Sequence, residues 1–120
     1  MDDNTLFMAM LFDFFGDLLT GKQREYFDLY HNDDLSLSEI AEKAGISRQG
    51  VYDIIRRAEK TLLEIENKTG IVQKWQENRT QLEKAEKLAR ELYKRVGNDE
   101  KSADLAKSLA QILEALIATN

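Results

Sequence analysis

Cysteine and proline are both absent from the chain, glycine occurs six times and histidine once. Without cysteine there is no disulfide, no thiol nucleophile and no thiolate metal ligand, which fits a reducing compartment. With His31 as the single histidine, a zinc site would have to be built almost wholly from carboxylates, a poor donor set for that ion. No complete G-x-x-x-x-G-K-[ST] phosphate loop and no G-x-G-x-x-G is present. Nor is there an uninterrupted apolar run of membrane-spanning length. The apolar stretch Leu6 to Leu19 is broken by Asp13 and Asp17 and preceded by Asp2 and Asp3 rather than by Lys or Arg. It therefore reads neither as a signal peptide nor as a membrane span, and a cytoplasmic protein is expected.

What is present favours helix. Ala, Leu, Glu, Lys and Gln are abundant, and with no proline to break them the helices can run long, so the expected fold is all-α. At 120 residues, with 42% hydrophobic and 32% charged side chains, the chain is a globular domain, or one small domain with a helical extension.

Ser36 to Leu62 is the most informative stretch. Ser36 and Glu39 have the spacing of a capping box, in which each side chain accepts from the other residue's backbone N–H. Leu37, Ile40, Ala41 and Ala44 then repeat at helical spacing, so a short helix buries one face. Gly45 follows where a left-handed backbone is needed, as the turn residue. Ile46 is placed to plug the corner between two helices. Ser47 is a good N-cap for a longer helix with the apolar stripe Val51, Ile54, Ile55, Ala58 and Leu62. This is the pattern of a helix-turn-helix. The outer face of its second helix carries Arg48, Gln49, Tyr52, Asp53, Arg56, Arg57 and Lys60, side-chain types that reach base edges and phosphates. Together with the cap Ser47 they are the candidate nucleic-acid-binding residues.

Charge tempers that reading. The formal net charge is −5, whereas DNA-binding domains are usually basic. Residues 1–35 hold eight acidic and two basic side chains, residues 36–66 six and five, and residues 67–120 eight and ten. The acidity is thus concentrated ahead of the helix-turn-helix. Within 47–62, Arg48, Arg56, Arg57 and Lys60 outnumber Asp53 and Glu59, a modest footprint that would bind weakly through one protomer. No constellation for catalysis is seen: Asp33-Asp34 reads as a solvated turn, His31 as a residue near a helix C-terminus interacting with the dipole, and Trp75 as a core anchor. The protein is expected to be non-enzymatic, with no cofactor and no metal.

Five or six helices with short connections are expected. A helix-turn-helix domain spans 1–66, residues 67–70 form a linker that ends the recognition helix, and a C-terminal helical hairpin spans 71–120. Thr20 with Gln23 forms a second capping box. The first helix has two apolar rows: Leu6, Met10, Phe14 and Leu18, and beside them Phe7, Leu11, Phe15 and Leu19. In the hairpin, Val72, Trp75, Leu82, Ala85, Ala89, Leu92 and Val96 face Leu105, Leu109, Ile112 and Leu116 as a seam. Ala106, Ala110, Leu113 and Ile117 widen the last helix's stripe. The surplus apolar rows, with the weak positive charge, predict a homodimer, with Phe7, Leu11 and Phe15 or Leu113 and Ile117 as its interface; packing on one shared core is the alternative.

The stretch LTGKQREYFDLYHNDDLSLSEIAEKAGISRQGVYDIIRRAEKTL, residues 19–62, resembles region 4 of bacterial sigma factors. The chain as a whole, through MLFDFFGDLLTGKQREYFDLYHNDDLSLSEIAE and GISRQGVYDIIRRAEKTLLEIE, more specifically resembles the YlxM family of signal-recognition-particle-associated proteins. That resemblance implies an all-α, sigma-region-4-like fold of the winged-helix class and a regulatory role in the signal recognition particle (SRP) pathway. The expected partner is nucleic acid, either DNA or the SRP RNA, with SRP components as further partners and no membrane. Helix-turn-helix geometry suits the major groove of B-DNA, while the family resemblance points to the particle. The rival expectation is a protein-interaction module whose acidic N-terminal part meets a basic partner.

Overall fold

Helices account for nearly all of residues 3–119, the part of the chain that the computed structural model describes. Asp2 of the apolar run's leader lies outside them. In order, α1 spans Asp3–Phe15, a 3-10 turn Gly16–Leu18, α2 Gly21–Phe27, a π-helical turn Asp28–Asn32, α3 Leu37–Ala44, α4 Arg48–Thr69, α5 Ile71–Arg95 and α6 Glu100–Thr119. No strand occurs among the described residues, so the all-α expectation holds and the wing of a winged helix is missing there. No described helix is long and apolar enough to cross a membrane.

The local signals act as the sequence suggests. Gln23 donates its N–H to Thr20 Oγ1 at 3.3 Å while Thr20 N–H donates to Gln23 Oε1 at 3.2 Å, closing the box that opens α2. This corner has one more sequence feature: Gly16 to Lys22 has phosphate-loop spacing, but Gln23 stands where Ser or Thr is required. A helix rather than a strand leads into it, so the segment is a capped helix–helix corner. Gly45 ends α3 at φ 71°, ψ 29°, and its N–H donates to Ala41 O at 2.9 Å. A Cβ added there would meet nothing within 4 Å, so the constraint is the left-handed backbone alone. Gly45→Val should therefore cost about 1–2 kcal/mol of stability, and Gly45→Asn, which tolerates that backbone, distinctly less. Equal denaturation midpoints for both variants would show that strain at this turn is not limiting.

The chain divides into two compact units, one ending at Val72 and the other beginning at Gln73. The expected linker at 67–70 is mostly helix: α4 continues to Thr69, Gly70 caps it at φ 62°, and Val72 in the first turn of α5 still belongs to the first core. That junction holds the one buried charged side chain of the described residues. Glu66, 8% exposed, accepts the Val72 N–H at 3.0 Å, satisfying a donor that the start of α5 would otherwise leave open. Glu66→Ala should cost about 1–3 kcal/mol because it strands a buried N–H, while Glu66→Gln keeps the acceptor and should lose less. Thermal melts of the two variants compare them directly.

Two apolar clusters fill the first unit. Met8, Leu11, Phe15, Leu19, Phe27, Ala58, Leu62 and Val72 join α1, α2 and α4. Tyr26, Ile40, Ala41, Val51 and Ile55 join α2 to the helix-turn-helix. This corrects one assignment of the dimer surface. Leu11 and Phe15 are buried and Phe7 packs half-buried against the first cluster, because that row of α1 faces α2 and α4. What α1 leaves exposed is Leu6 and Phe14, followed by Leu18 in the 3-10 turn. Ile46, expected to plug the corner, stays 38% exposed.

The second unit is an antiparallel hairpin. Its turn runs through Gly97, and contacts from Arg90 to Glu114 and from Arg79 to the Ile117 carbonyl mark opposite chain directions. The seam differs from the expected one. Ala89, Ala110 and Leu113 form its buried centre with Leu82 and Ala85 beside them, and Ala106 is buried too. Leu105, Leu109, Ile112 and Leu116 are instead exposed. Small alanines let two backbones approach closely, so they win the contact over the leucines. Leu113 and half-buried Ile117 are thus lost as an external interface.

Candidate nucleic-acid interface

The helix-turn-helix is set by its caps. Glu39 N–H donates to Ser36 Oγ at 3.1 Å and Ser36 N–H to Glu39 Oε1 at 3.0 Å, so α3 starts where the sequence indicates. The hydrogen bonds from the Ser36 backbone and hydroxyl, with Lys43 nearby, hold the Glu39 carboxyl below the usual carboxylate range. A depressed carboxyl stabilises the fold above its unfolded pKa, and this contribution is lost as pH falls through the lowered folded value. Ser47 caps α4 in turn, its Oγ accepting from Gly50 N–H at 2.9 Å. Val51, Ile55, Ala58 and Leu62 are buried at helical spacing, which turns the opposite face of α4 outward.

Gln49, Tyr52, Asp53, Arg56, Arg57 and Lys60 lie towards that outward side, while Ser47 caps the helix and Arg48 takes its first position, in line with buried Ile55 and Leu62 yet exposed. Ser47, Arg48, Gln49, Tyr52, Asp53, Arg56, Arg57 and Lys60 are all exposed, and from Arg48 to Lys60 they span about 18 Å of helix. Arg48, Gln49 and Tyr52 line a shallow depression with Leu37 of α3. Arg56, Arg57 and Lys60 line a longer groove bordered by Asn4 and Met8 of α1. The face is partly preorganised. Gln49 donates to Asp53 Oδ1 at 2.9 Å, and the Arg56 guanidinium sits 6.0 Å from the centre of the Tyr52 ring and 3.7 Å from Glu59 Oε1. At that length, with the Arg56 side chain exposed, the Arg56–Glu59 pair adds little stability, but it does limit where the guanidinium points.

One element of this region was not legible in the sequence. His31 is not a residue of a helix end merely meeting the dipole. Its Nε2 lies 2.8 Å from Glu59 Oε2 on α4, its ring centre 4.2 Å from that of Phe27 and 5.1 Å, edge-on, from that of Tyr30. The bond joins the π turn to the middle of the recognition helix across 28 residues, and no local spacing signals such a partner. Leu37 was missed for the same reason, since its neighbours at the depression come from the next helix. Asp33 and Asp34 stay exposed, Asp34 at φ 57°. Among the described residues no group of three or more His, Asp or Glu is placed to hold a metal ion.

The chemistry available here is hydrogen bonding and charge. Arg48, Gln49 and Asp53 can meet base edges, while Arg56, Arg57 and Lys60 can meet phosphates. Comparison with known proteins agrees with this geometry. Residues 2–110 match the family described as "Putative helix-turn-helix protein, YlxM / p13 like". The UPF0122 protein of Thermoanaerobacter sp. (strain X514) is 53% identical over 87 residues, 72% of this chain and 74% of its own length. That of Shouchella clausii is 43% identical over 116 residues, 97% of this chain and 99% of its own. A third, from Bacillus thuringiensis (strain Al Hakam), is 50% identical over 91 residues, 76% of this chain and 83% of its own. With its caps, left-handed glycine and outward-facing second helix in place, the chain belongs to the YlxM/p13-like helix-turn-helix family.

Proposed function

We propose that the protein is a non-enzymatic regulator that binds nucleic acid through the exposed face of α4, with duplex DNA as the ligand this geometry suits. The observation that carries the reading is the exposure of Gln49, Tyr52, Asp53, Arg56, Arg57 and Lys60 on one side of a helix whose other side is locked into the core, with Arg48 exposed at its start. B-DNA's major groove, about 12 Å wide, admits the start of such a helix, placing Arg48, Gln49 and Tyr52 at bases. At roughly 18 Å of helix, Arg56, Arg57 and Lys60 then extend past the groove towards the phosphate backbone. A-form RNA hides its major groove from a helix, so RNA would need an unpaired or widened segment. The reading extends to a cytoplasmic activity in or beside the SRP pathway, supported by the resemblance to signal-recognition-particle-associated proteins.

A second reading is favoured by one observation, the net charge of −5 with its acidic concentration in residues 1–35. In it the helix-turn-helix is a scaffold, and the protein binds the SRP protein or its receptor without touching nucleic acid. Electrophoretic shift assays with genomic duplex DNA and with SRP RNA, each at two salt concentrations, separate the two. Salt-sensitive binding of duplex DNA supports the first reading. Capture of the SRP protein without a shift of either nucleic acid overturns it.

A further inference from the structure

The hairpin of α5 and α6 buries Ala89, Ala106, Ala110 and Leu113 and leaves most of its other leucines exposed. Leu105, Leu109, Ile112 and Leu116 of α6 are between 45% and 72% exposed, and Leu88 and Leu92 of α5 are 64% and 53% exposed. At 100° per residue the α6 four form one stripe about 110° round from Ala106 and Ala110, and Leu88 and Leu92 are offset from Ala89 in the same sense. In an antiparallel hairpin equal offsets fall on the same side, so the six make one apolar face. The cross-hairpin ion pair, Arg90 with Glu114, lies on the opposite side, where Arg90 also meets Glu86. Six large side chains exposed to this degree form a patch on the order of several hundred Å², the range in which exposed apolar surface marks an interaction site.

We propose that this face is the contact surface between two copies of the chain, with α6 packed antiparallel on α6 about a two-fold axis between Leu109 and Ile112. The stripe's four-three-four spacing reads the same in both directions. A two-fold antiparallel pairing therefore sets Leu105 opposite Leu116 of the second copy and Leu109 opposite Ile112, large against large. Ser108 and Ala115 flank the stripe, and Asp104, Lys107 and Glu114 lie round the helix from it. Lys101, one turn before Leu105, is set far from its own copy, so α6 on α6 brings no like charges together, and Lys84 and Arg95 of α5 lie at the edge of the face. A strongly charged foreign partner would find no complementary charge beside Leu109 and Ile112. Leu88 and Leu92 extend the face beside the α6 stripe, and the two hairpins form a four-helix bundle. This surface is independent of the α4 face and stands whether or not nucleic acid binds there.

Light scattering of the full chain at micromolar concentration tests the proposal. The expected mass is twice the 13.8 kDa of one chain. Leu109→Glu with Ile112→Glu should halve it with helical circular dichroism retained, whereas Phe14→Glu with Leu18→Glu, in the exposed row of the first unit, should leave it unchanged. Because the chain has no cysteine, a second measurement uses nearly native side chains. Leu105→Cys and Leu116→Cys chains should form disulfide-linked pairs when mixed, and neither should do so alone. A parent mass of one chain overturns the proposal. So does a dimer that survives the Leu109/Ile112 change or is split by the Phe14/Leu18 change, as does cross-linking of Leu105→Cys with itself.

Discussion

Phe27→Ala is expected to destabilise the first unit by about 3–5 kcal/mol, the cost of removing a fully buried phenyl ring from a packed core. Phe27 is 0% exposed, at the end of α2, where α1, α2 and α4 converge. Its ring stacks on Phe12 of α1, centres 5.0 Å apart and planes within 8°, and also lies against the His31 ring. The substitution therefore opens a cavity and also frees His31, whose bond to Glu59 steadies the recognition helix. Small domains have about 5–15 kcal/mol of stability in all, so the loss approaches unfolding. The thermal midpoint should fall by roughly 4–8 °C for each kcal/mol, and Phe27→Leu, which keeps most of the volume, should fall much less. An unchanged midpoint in Phe27→Ala would contradict the packing described.

For nucleic-acid binding the largest effect is expected from Arg56→Ala combined with Arg57→Ala. Both are exposed cations beyond the first turns of α4, and in the proposed complex they would address the backbone rather than base edges. Binding should weaken for all sequences alike, and the slope of log affinity against log salt should flatten by about two, one for each phosphate contact removed. Changes at the start of the helix should behave differently. Arg48→Ala or Gln49→Ala should relax sequence preference, at about 1–3 kcal/mol for a lost base contact. Gln49 is held by Asp53 in the free protein, so Asp53→Ala loosens its amide before any ligand arrives. Parent affinity and parent salt slope in the Arg56/Arg57 double variant would remove the α4 face from consideration.

The helix-turn-helix was legible because its signals are local. A capping box needs two side chains three residues apart, a left-handed turn needs one glycine, and an N-cap needs one hydroxyl. Ser36 with Glu39, Gly45 and Ser47 fill those roles in the structure with no help from distant residues. The outward face of α4 follows from period alone, since Val51, Ile55, Ala58 and Leu62 can point only one way if they are to be buried.

Period cannot say which of two apolar rows on one helix is buried. α1 has two such rows, and α6 carries its leucine row beside an alanine row. In the first unit, α2 and α4 cover Leu11 and Phe15 and leave Leu6 and Phe14 exposed. In the hairpin, close approach over Ala89, Ala106 and Ala110 leaves the larger side chains outside. Glu66 over the first turn of α5, and His31 on Glu59, likewise depend on groups that meet only after the chain has folded back. The sequence by itself determined the all-α class, the capped starts of α2, α3 and α4 and the outward face of the recognition helix, because caps and turns are short-range interactions. The tertiary structure alone decided which apolar rows form the cores and which stay on the surface, because burial depends on how closely two helix backbones can approach.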